Sequence, residues 1–153
     1  MKQFLFLLIF LPFLSFSQKA KTLDSLISLG VKCYDQQKYE LAIAQYQKAL
    51  KNFLVKQKIE VVLAEYGITA CNFAAVCESL QIPLVAHFHG FDAYEYKTIA
   101  NYKERYLAMA KTAAKIIVVS EDMRQALLQL GVPAEKIVNN PYGVELQNFQ
   151  TTQ

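Results

Sequence analysis

The sequence lacks the clustered features that mark several classes of binding protein. Its 16 basic and 13 acidic residues give a net charge of +3, and the basic side chains are scattered singly. Binding to a phosphate backbone needs a basic face, so we expect no nucleic-acid partner. The three cysteines form no Cys-x-x-Cys pair, and the two histidines, His87 and His89, lie on one segment. The spacing of the common zinc motifs is therefore absent, and we predict neither a metal nor a cofactor.

The cysteines also lack the spacing of a local disulfide. Cys71 and Cys77 are six residues apart in one predicted helix, so they lie on different faces, beyond the reach of a disulfide. We expect buried free thiols. Free thiols are typical of a reducing compartment.

The first seventeen residues indicate the opposite compartment. Lys2 supplies a positive charge, residues 4–14 are apolar, and Ser15 and Ser17 are small. This pattern predicts a signal peptide at 1–17, cleaved before Gln18, and export to the periplasm or medium. The apolar run is too short to cross a bilayer about 30 Å thick as a helix. The alternative is a buried helix, although the run has no polar face.

Residues 18–57 have the pattern of two antiparallel helices. The segment resembles one tetratricopeptide repeat at these positions: Leu26, Leu29, Gly30, Tyr34, Tyr39, Ala42, Tyr46 and Ala49. The small Gly30 and Ala42 would let the helices approach closely. Cys33 departs from the repeat, which usually has an aromatic residue there. A single repeat leaves its outer faces unburied, so the segment is either a partner-binding scaffold or a hairpin that caps a domain or forms a dimer surface.

Residues 58–153 alternate between short apolar runs and amphipathic stretches. Four apolar, β-branched runs predict buried strands at 59–64, 84–88, 115–119 and 136–139. Helical patterns separate them, at about 68–80, 99–113 and 121–130. The alternation predicts an α/β fold, with a Rossmann-like parallel sheet of about four strands preceded by the helical hairpin. Ligands of such sheets bind at the carboxyl ends of the strands, where His89, Gly90 and Ser120 fall.

Five blocks in this region resemble family 4 glycosyltransferases. They are VLAEYG at 62–67, PLVAHFHGFD at 83–92, IVVSE at 117–121, LGVPAEKI at 130–137 and NPYGVE at 140–145, followed by Phe149. The resemblance covers about ninety residues of the acceptor-side domain of the two-domain GT-B architecture. It implies transfer of a sugar from a nucleotide diphosphate sugar to a sugar or lipid-linked acceptor, with retention of anomeric configuration and without metal.

The resemblance also assigns roles to individual residues. His89 matches the family's catalytic histidine, which reaches toward the donor sugar. Gly90 would let the backbone approach the ligand, Asp92 would orient nearby groups or bond an acceptor hydroxyl, and Ser120 matches a serine at the edge of the cleft. Residues Gly143, Val144 and Glu145 match the segment that enters the second domain.

Each of these residues also has a structural interpretation. His89 can be a hydrogen-bonded packing residue, and we interpret His87 as structural. Ser120 is a good N-cap for a helix whose first turn carries Glu121 and Asp122, and Asp92 can cap a helix in the same way. Gly143 can be a turn residue.

Two functions follow for the whole chain. The first is a glycosyltransferase fragment whose donor-binding domain is not in this sequence; complete activity is then not expected from this chain alone, and the location would be cytoplasmic. The family's first strands are also replaced here by the signal peptide and the hairpin. The alternative is an exported tetratricopeptide-repeat scaffold without activity, which binds a protein partner or forms a homodimer through the repeat. Missing strands would leave an open sheet edge, which favours association.

Overall fold

The computed structural model describes residues 4–7 and 21–143 of the chain. The elements, in chain order, are β1 (Phe4–Leu7), α1 (Lys21–Asp35), α2 (Tyr39–Lys56), β2 (Val61–Glu65), α3 (Gly67–Leu80), β3 (Leu84–His87), α4 (Gly90–Tyr94), α5 (Tyr96–Thr112), β4 (Lys115–Val118), α6 (Glu121–Leu130), a 3₁₀ turn (Ala134–Lys136) and β5 (Ile137–Asn139). The predicted α/β fold with a Rossmann-like parallel sheet and a preceding helical hairpin is confirmed.

The sheet has five parallel strands in the order of the sequence, β1-β2-β3-β4-β5. Right-handed crossovers between strands that advance in one direction place the connecting helices on one face of the sheet. Burial agrees with this arrangement, because one set of alternate side chains is almost completely covered: Val62, Ala64, Leu84, Ala86, Ile116 and Val118. On the opposite face, Val85 and Ile117 are half-buried and Val138 is 40% exposed.

The strand boundaries differ slightly from those predicted. The first predicted strand begins at Val61 instead of Ile59, and Lys136 belongs to the 3₁₀ turn before β5. The short helix α4 was not predicted as a separate element. The strand ends are shifted by one or two residues. At these positions the backbone can form hydrogen bonds either to the neighbouring strand or within the adjacent turn.

A fifth strand lies where the sequence predicts a signal peptide. Phe4–Leu7 pairs in parallel with β2, with Phe4 opposite Val61 and Leu7 opposite Ala64. The rest of the predicted signal peptide lies outside the described residues, and export stays a prediction. Within the described ranges, no helix has both the length and the apolar character needed to span a membrane.

The helical hairpin packs as the small residues predict. A Cβ on Gly30 would approach the Tyr46 ring to 2.6 Å, so glycine is what allows α1 and α2 to meet here. Ala42 and Ala49 are buried between the helices. Leu54 of α2 is completely buried in the core beneath the sheet. The hairpin therefore shares packing with the α/β region, while its identity as a tetratricopeptide repeat and the boundary at residue 58 stay predictions.

The cysteines are free thiols, as predicted, but only Cys77 is fully buried; Cys33 and Cys71 are half-buried. Burial raises the pKa of Cys71 and of Cys77 to about 11. Both thiols are therefore protonated and unreactive at neutral pH.

Candidate functional site

Two adjacent strands end at a group of ionisable side chains. Glu65 closes β2 and His87 closes β3, and the two residues are paired in the sheet register. His89 follows two residues later. Oε2 of Glu65 lies 3.0 Å from Nδ1 of His87 and 2.6 Å from Nε2 of His89. One carboxylate oxygen thus bridges both imidazoles at the carboxyl ends of the strands.

Tyr142, which follows β5, contacts the other side of His89. Its hydroxyl lies 3.0 Å from Nδ1 of His89, and the two rings are nearly parallel. Burial, followed by the charge of Glu65, raises the pKa of the Tyr142 hydroxyl, which keeps it protonated and able to donate. A neutral His89 that accepts from Tyr142 must carry its proton on Nε2 and donate it to Glu65. Both ring nitrogens of His89 are then engaged.

His87 has a single polar contact among the described residues. Its Nδ1 faces Glu65, whereas its Nε2 is buried and lacks a hydrogen-bond partner. Its ring centroid lies 4.5 Å from that of His89. The two imidazole rings are tilted by 43° relative to each other and share one carboxylate, so His87 is part of the same cluster as His89.

Asp92 lies beneath the cluster and is completely buried. Its carboxylate accepts the N–H of Gly67 at 2.5 Å and the N–H of His89 at 2.7 Å. Burial raises the pKa of Asp92, while these two backbone donors oppose the increase. The side chain joins the start of α3 to the turn that carries His89, so the geometry favours its orienting role over direct contact with an acceptor hydroxyl.

The other predicted residues have different environments. Gly90 begins α4, and a Cβ placed there would meet nothing within 4 Å. Ser120 accepts the N–H of Met123 at 3.1 Å and caps α6, as its structural interpretation predicts. Gly143 is exposed, with open space around its Cα. Val144 and Glu145 lie outside the described residues.

Three members of the site were not predicted from the sequence. Glu65 directly follows the apolar run predicted at 59–64 and was given no role; its register opposite His87, which only the structure shows, identifies it. Tyr142 lies inside a block that carried the resemblance, but it was not singled out. Tyr66, whose ring centroid is 4.5 Å from that of His89, gave no signal beyond its position after a strand.

We compared the chain with curated proteins, solved structures and family models to identify its family. No curated protein matches the chain. A solved structure, the UDP-N-acetylglucosamine 2-epimerase from Rickettsia bellii, is similar at 20% identity and a TM-score of 0.48, over 63% of this chain and 25% of that chain. The chain thus spans about a quarter of the epimerase's length. The family model described as Glycosyltransferase Family 4 matches residues 13–148. This match covers most of the sequence, and the chain belongs to Glycosyltransferase Family 4.

Proposed function

We propose that the α/β region is the acceptor-side half of a sugar-transferring enzyme, with His89 at the reaction centre. The donor would be a nucleotide diphosphate sugar and the acceptor a sugar or a lipid-linked sugar, with retention of anomeric configuration. A separate donor-binding domain would have to complete the site. Membership of the glycosyltransferase family and the position of His89 at the strand ends support this proposal.

One contact carries the proposal. The Tyr142 hydroxyl lies 3.0 Å from Nδ1 of His89, and Tyr142 is 63% exposed. An exposed hydroxyl can be replaced by a hydroxyl of a sugar without disturbing the protein interior. Meanwhile Glu65 fixes the ring through Nε2, as a carboxylate orients a catalytic imidazole in other enzymes. His89 is therefore held with one nitrogen directed toward an incoming hydroxyl.

The test is acceptor binding by the chain itself, followed by imidazole NMR. Because the protein has only two histidines, each ring can be assigned from the spectra of His87→Gln and His89→Gln. Acceptor oligosaccharides are expected to shift the Nδ1 signal of His89, and Tyr142→Phe, which removes the competing hydroxyl, is expected to enhance the shift. The matched control is Tyr96→Phe, since Tyr96 is exposed on α5. Unchanged His89 signals with every acceptor would contradict the proposed placement.

A second measurement separates the two halves of the reaction. Calorimetry with nucleotide diphosphate sugars is expected to give no tight binding by this chain alone, because the diphosphate needs charge stabilisation that belongs to the donor domain. In an enzyme reconstituted with a donor domain, His89→Ala is expected to abolish most turnover. Undiminished turnover would reduce His89 to a packing residue.

The hairpin supports a second candidate function, that of an exported partner-binding protein. Its helices expose several large apolar side chains, including Tyr34 at 60% and Ile43 at 56%. A groove of about 790 Å³ also runs between the hairpin and helices α3 and α5, and Phe53, Phe73 and Arg105 are among its lining residues. Sedimentation of the native protein and of Ile43→Glu would test self-association through this surface. Sequencing the N-terminus of protein recovered outside the cytoplasm would test cleavage before Gln18.

A further inference from the structure

Although the spacing of the histidines and cysteines predicts no metal, we propose that Glu65, His87 and His89 form a binding site for a divalent transition-metal ion, with Zn²⁺ as the best chemical match. The inference does not rest on the proposed function, because it uses only the geometry of the three side chains. In the described ranges 4–7 and 21–143, this is the one group of three or more His, Cys, Asp or Glu residues able to hold an ion.

The sheet itself brings the three donors together. Glu65 and His87 are register partners on adjacent parallel strands, so their side chains project from the same face. His89 is two residues beyond His87 and returns to that side. One donor atom from each residue lies within 4.8 Å of the other two. The parallel pairing of β2 and β3 therefore fixes the positions of Glu65 and His87 relative to each other.

The distances are close to those of a coordinated ion. Zn–N and Zn–O bonds of about 2.0–2.2 Å place tetrahedral ligands roughly 3.4 Å apart. The Glu65 oxygen is 3.0 Å from the His87 nitrogen and 2.6 Å from the His89 nitrogen. Side-chain rotations that move these atoms by less than about 1 Å would open the space for one ion. The ion would then replace the hydrogen bonds that now join the imidazoles to the carboxylate.

The type of donor determines the choice of metal. Two imidazoles and one carboxylate suit zinc and related transition metals, whereas Mg²⁺ and Ca²⁺ prefer oxygen donors alone. Within the described residues, only imidazoles lie in ion-pair range of the Glu65 carboxylate. The negative charge of Glu65 is thus not neutralised by a lysine or arginine of that region.

Two further observations favour coordination over a purely structural cluster. With an ion on Nε2, the proton of a neutral His89 would lie on Nδ1 and would be donated to the Tyr142 hydroxyl 3.0 Å away, and such a contact fixes the orientation of a metal-binding imidazole. The side chain of His89 is 24% exposed, so a fourth ligand can enter from solvent.

The test is metal binding by the full chain, produced without a histidine tag and freed of metal. Calorimetry with Zn²⁺ is expected to show one ion per chain, and Co²⁺ is expected to give visible absorption bands of a tetrahedral nitrogen and oxygen site. Glu65→Gln and His87→Gln are each expected to weaken binding by at least about 10-fold. Glu121→Gln is the matched control, since it neutralises an exposed carboxylate on α6 outside the cluster.

Cysteine is the competing explanation for any bound metal, and the experiment distinguishes it. Replacement of all three cysteines by alanine (Cys33→Ala, Cys71→Ala and Cys77→Ala) is expected to leave the affinity unchanged, and Co²⁺ is expected to give no thiolate charge-transfer band. In the native protein, Zn²⁺ is expected to shift the NMR signals of both imidazoles, a readout that does not depend on the folding of a variant. Binding that survives both Glu65→Gln and His87→Gln, or that is lost in the variant without cysteines, would overturn the site. Failure of zinc binding would leave the acceptor-induced shifts of His89 unaffected, so the two proposals can fail separately.

Discussion

Gly67 is the position where a single methyl group should disturb both the core and the site. It begins α3 directly after β2, and its Cα lies against the ring of Phe88, which is completely buried. A Cβ at Gly67 would lie 2.8 Å from Cε2 of Phe88 and closer still to Cε1 and Cζ. The ring also packs edge-on against Tyr106, at 5.1 Å between centroids, so it has little room to move. Overpacking of this kind costs about 1–3 kcal/mol.

Gly67→Ala should therefore lower the midpoint of thermal unfolding by about 2–12 °C, since 1 kcal/mol corresponds to roughly 2–4 °C in a protein of this size. The N–H of Gly67 also donates to Asp92, which in turn holds the backbone of His89. We therefore expect the His89 imidazole signals to shift in this variant as well. Calorimetry gives the stability and NMR gives the ring environment.

Gly90→Ala is the matched control, because Gly90 also begins a helix after a strand but has open space around its Cα. This variant should stay within about 0.5 kcal/mol of the native protein. Replacing the ring in Phe88→Leu should rescue part of the loss, with a coupling of about 0.5–3 kcal/mol between positions 67 and 88. Equal stability of the two alanine variants, without coupling to Phe88, would refute the reasoning.

Two further predictions concern residues beside the site. Asp92→Asn should destabilise the protein by about 1–3 kcal/mol, since the amide NH₂ cannot accept from the second of the two backbone donors, Gly67 and His89. Burial raises the pKa of Asp92 in the folded state, so the native carboxyl contributes most stability below its usual pKa and loses that contribution as the pH rises through the raised pKa. The difference in free energy of unfolding between the native protein and Asp92→Asn, measured in urea, should therefore shrink with pH. A difference that grows with pH would contradict this. Ser120→Ala should cost about 1 kcal/mol through loss of the α6 cap, and Ser120→Asp should restore it. If Ser120→Ala impaired acceptor binding without changing stability, the residue would be a ligand contact instead of a cap.

The strands of the α/β region could be predicted because the residues that determine them are close together in the sequence. Apolar, β-branched runs bounded by Pro83, Gly131 and Pro133 leave few alternatives to buried strands, and the small Gly30 forecasts the close approach of α1 and α2. The capping of α6 by Ser120 follows in the same way from hydrogen bonding within one turn. These features need no knowledge of distant parts of the chain.

The composition of the site could not be predicted, because it depends on register. Glu65 contacts the histidines only because it is paired with His87 across two adjacent strands. The number of residues between Glu65 and His87 does not predict which residues of the two strands are paired. Asp92 was expected near the ligand, but tertiary packing buries it beneath the turn. Residues 4–7 have the composition of both a signal peptide and a strand, so periodicity alone does not distinguish the two.

The order of the strands has a consequence for how the sheet assembles. Each pairing from β2 to β5 joins neighbours along the chain, so these contacts close short loops and lose little chain entropy. The pairing of β1 with β2 is different, because the loop that it closes contains both helices of the hairpin and is longer than the others. We therefore expect a nucleus of β2 to β5 to form first and the N-terminal strand to dock last, which makes that strand the part of the described sheet most easily detached under mild denaturing conditions.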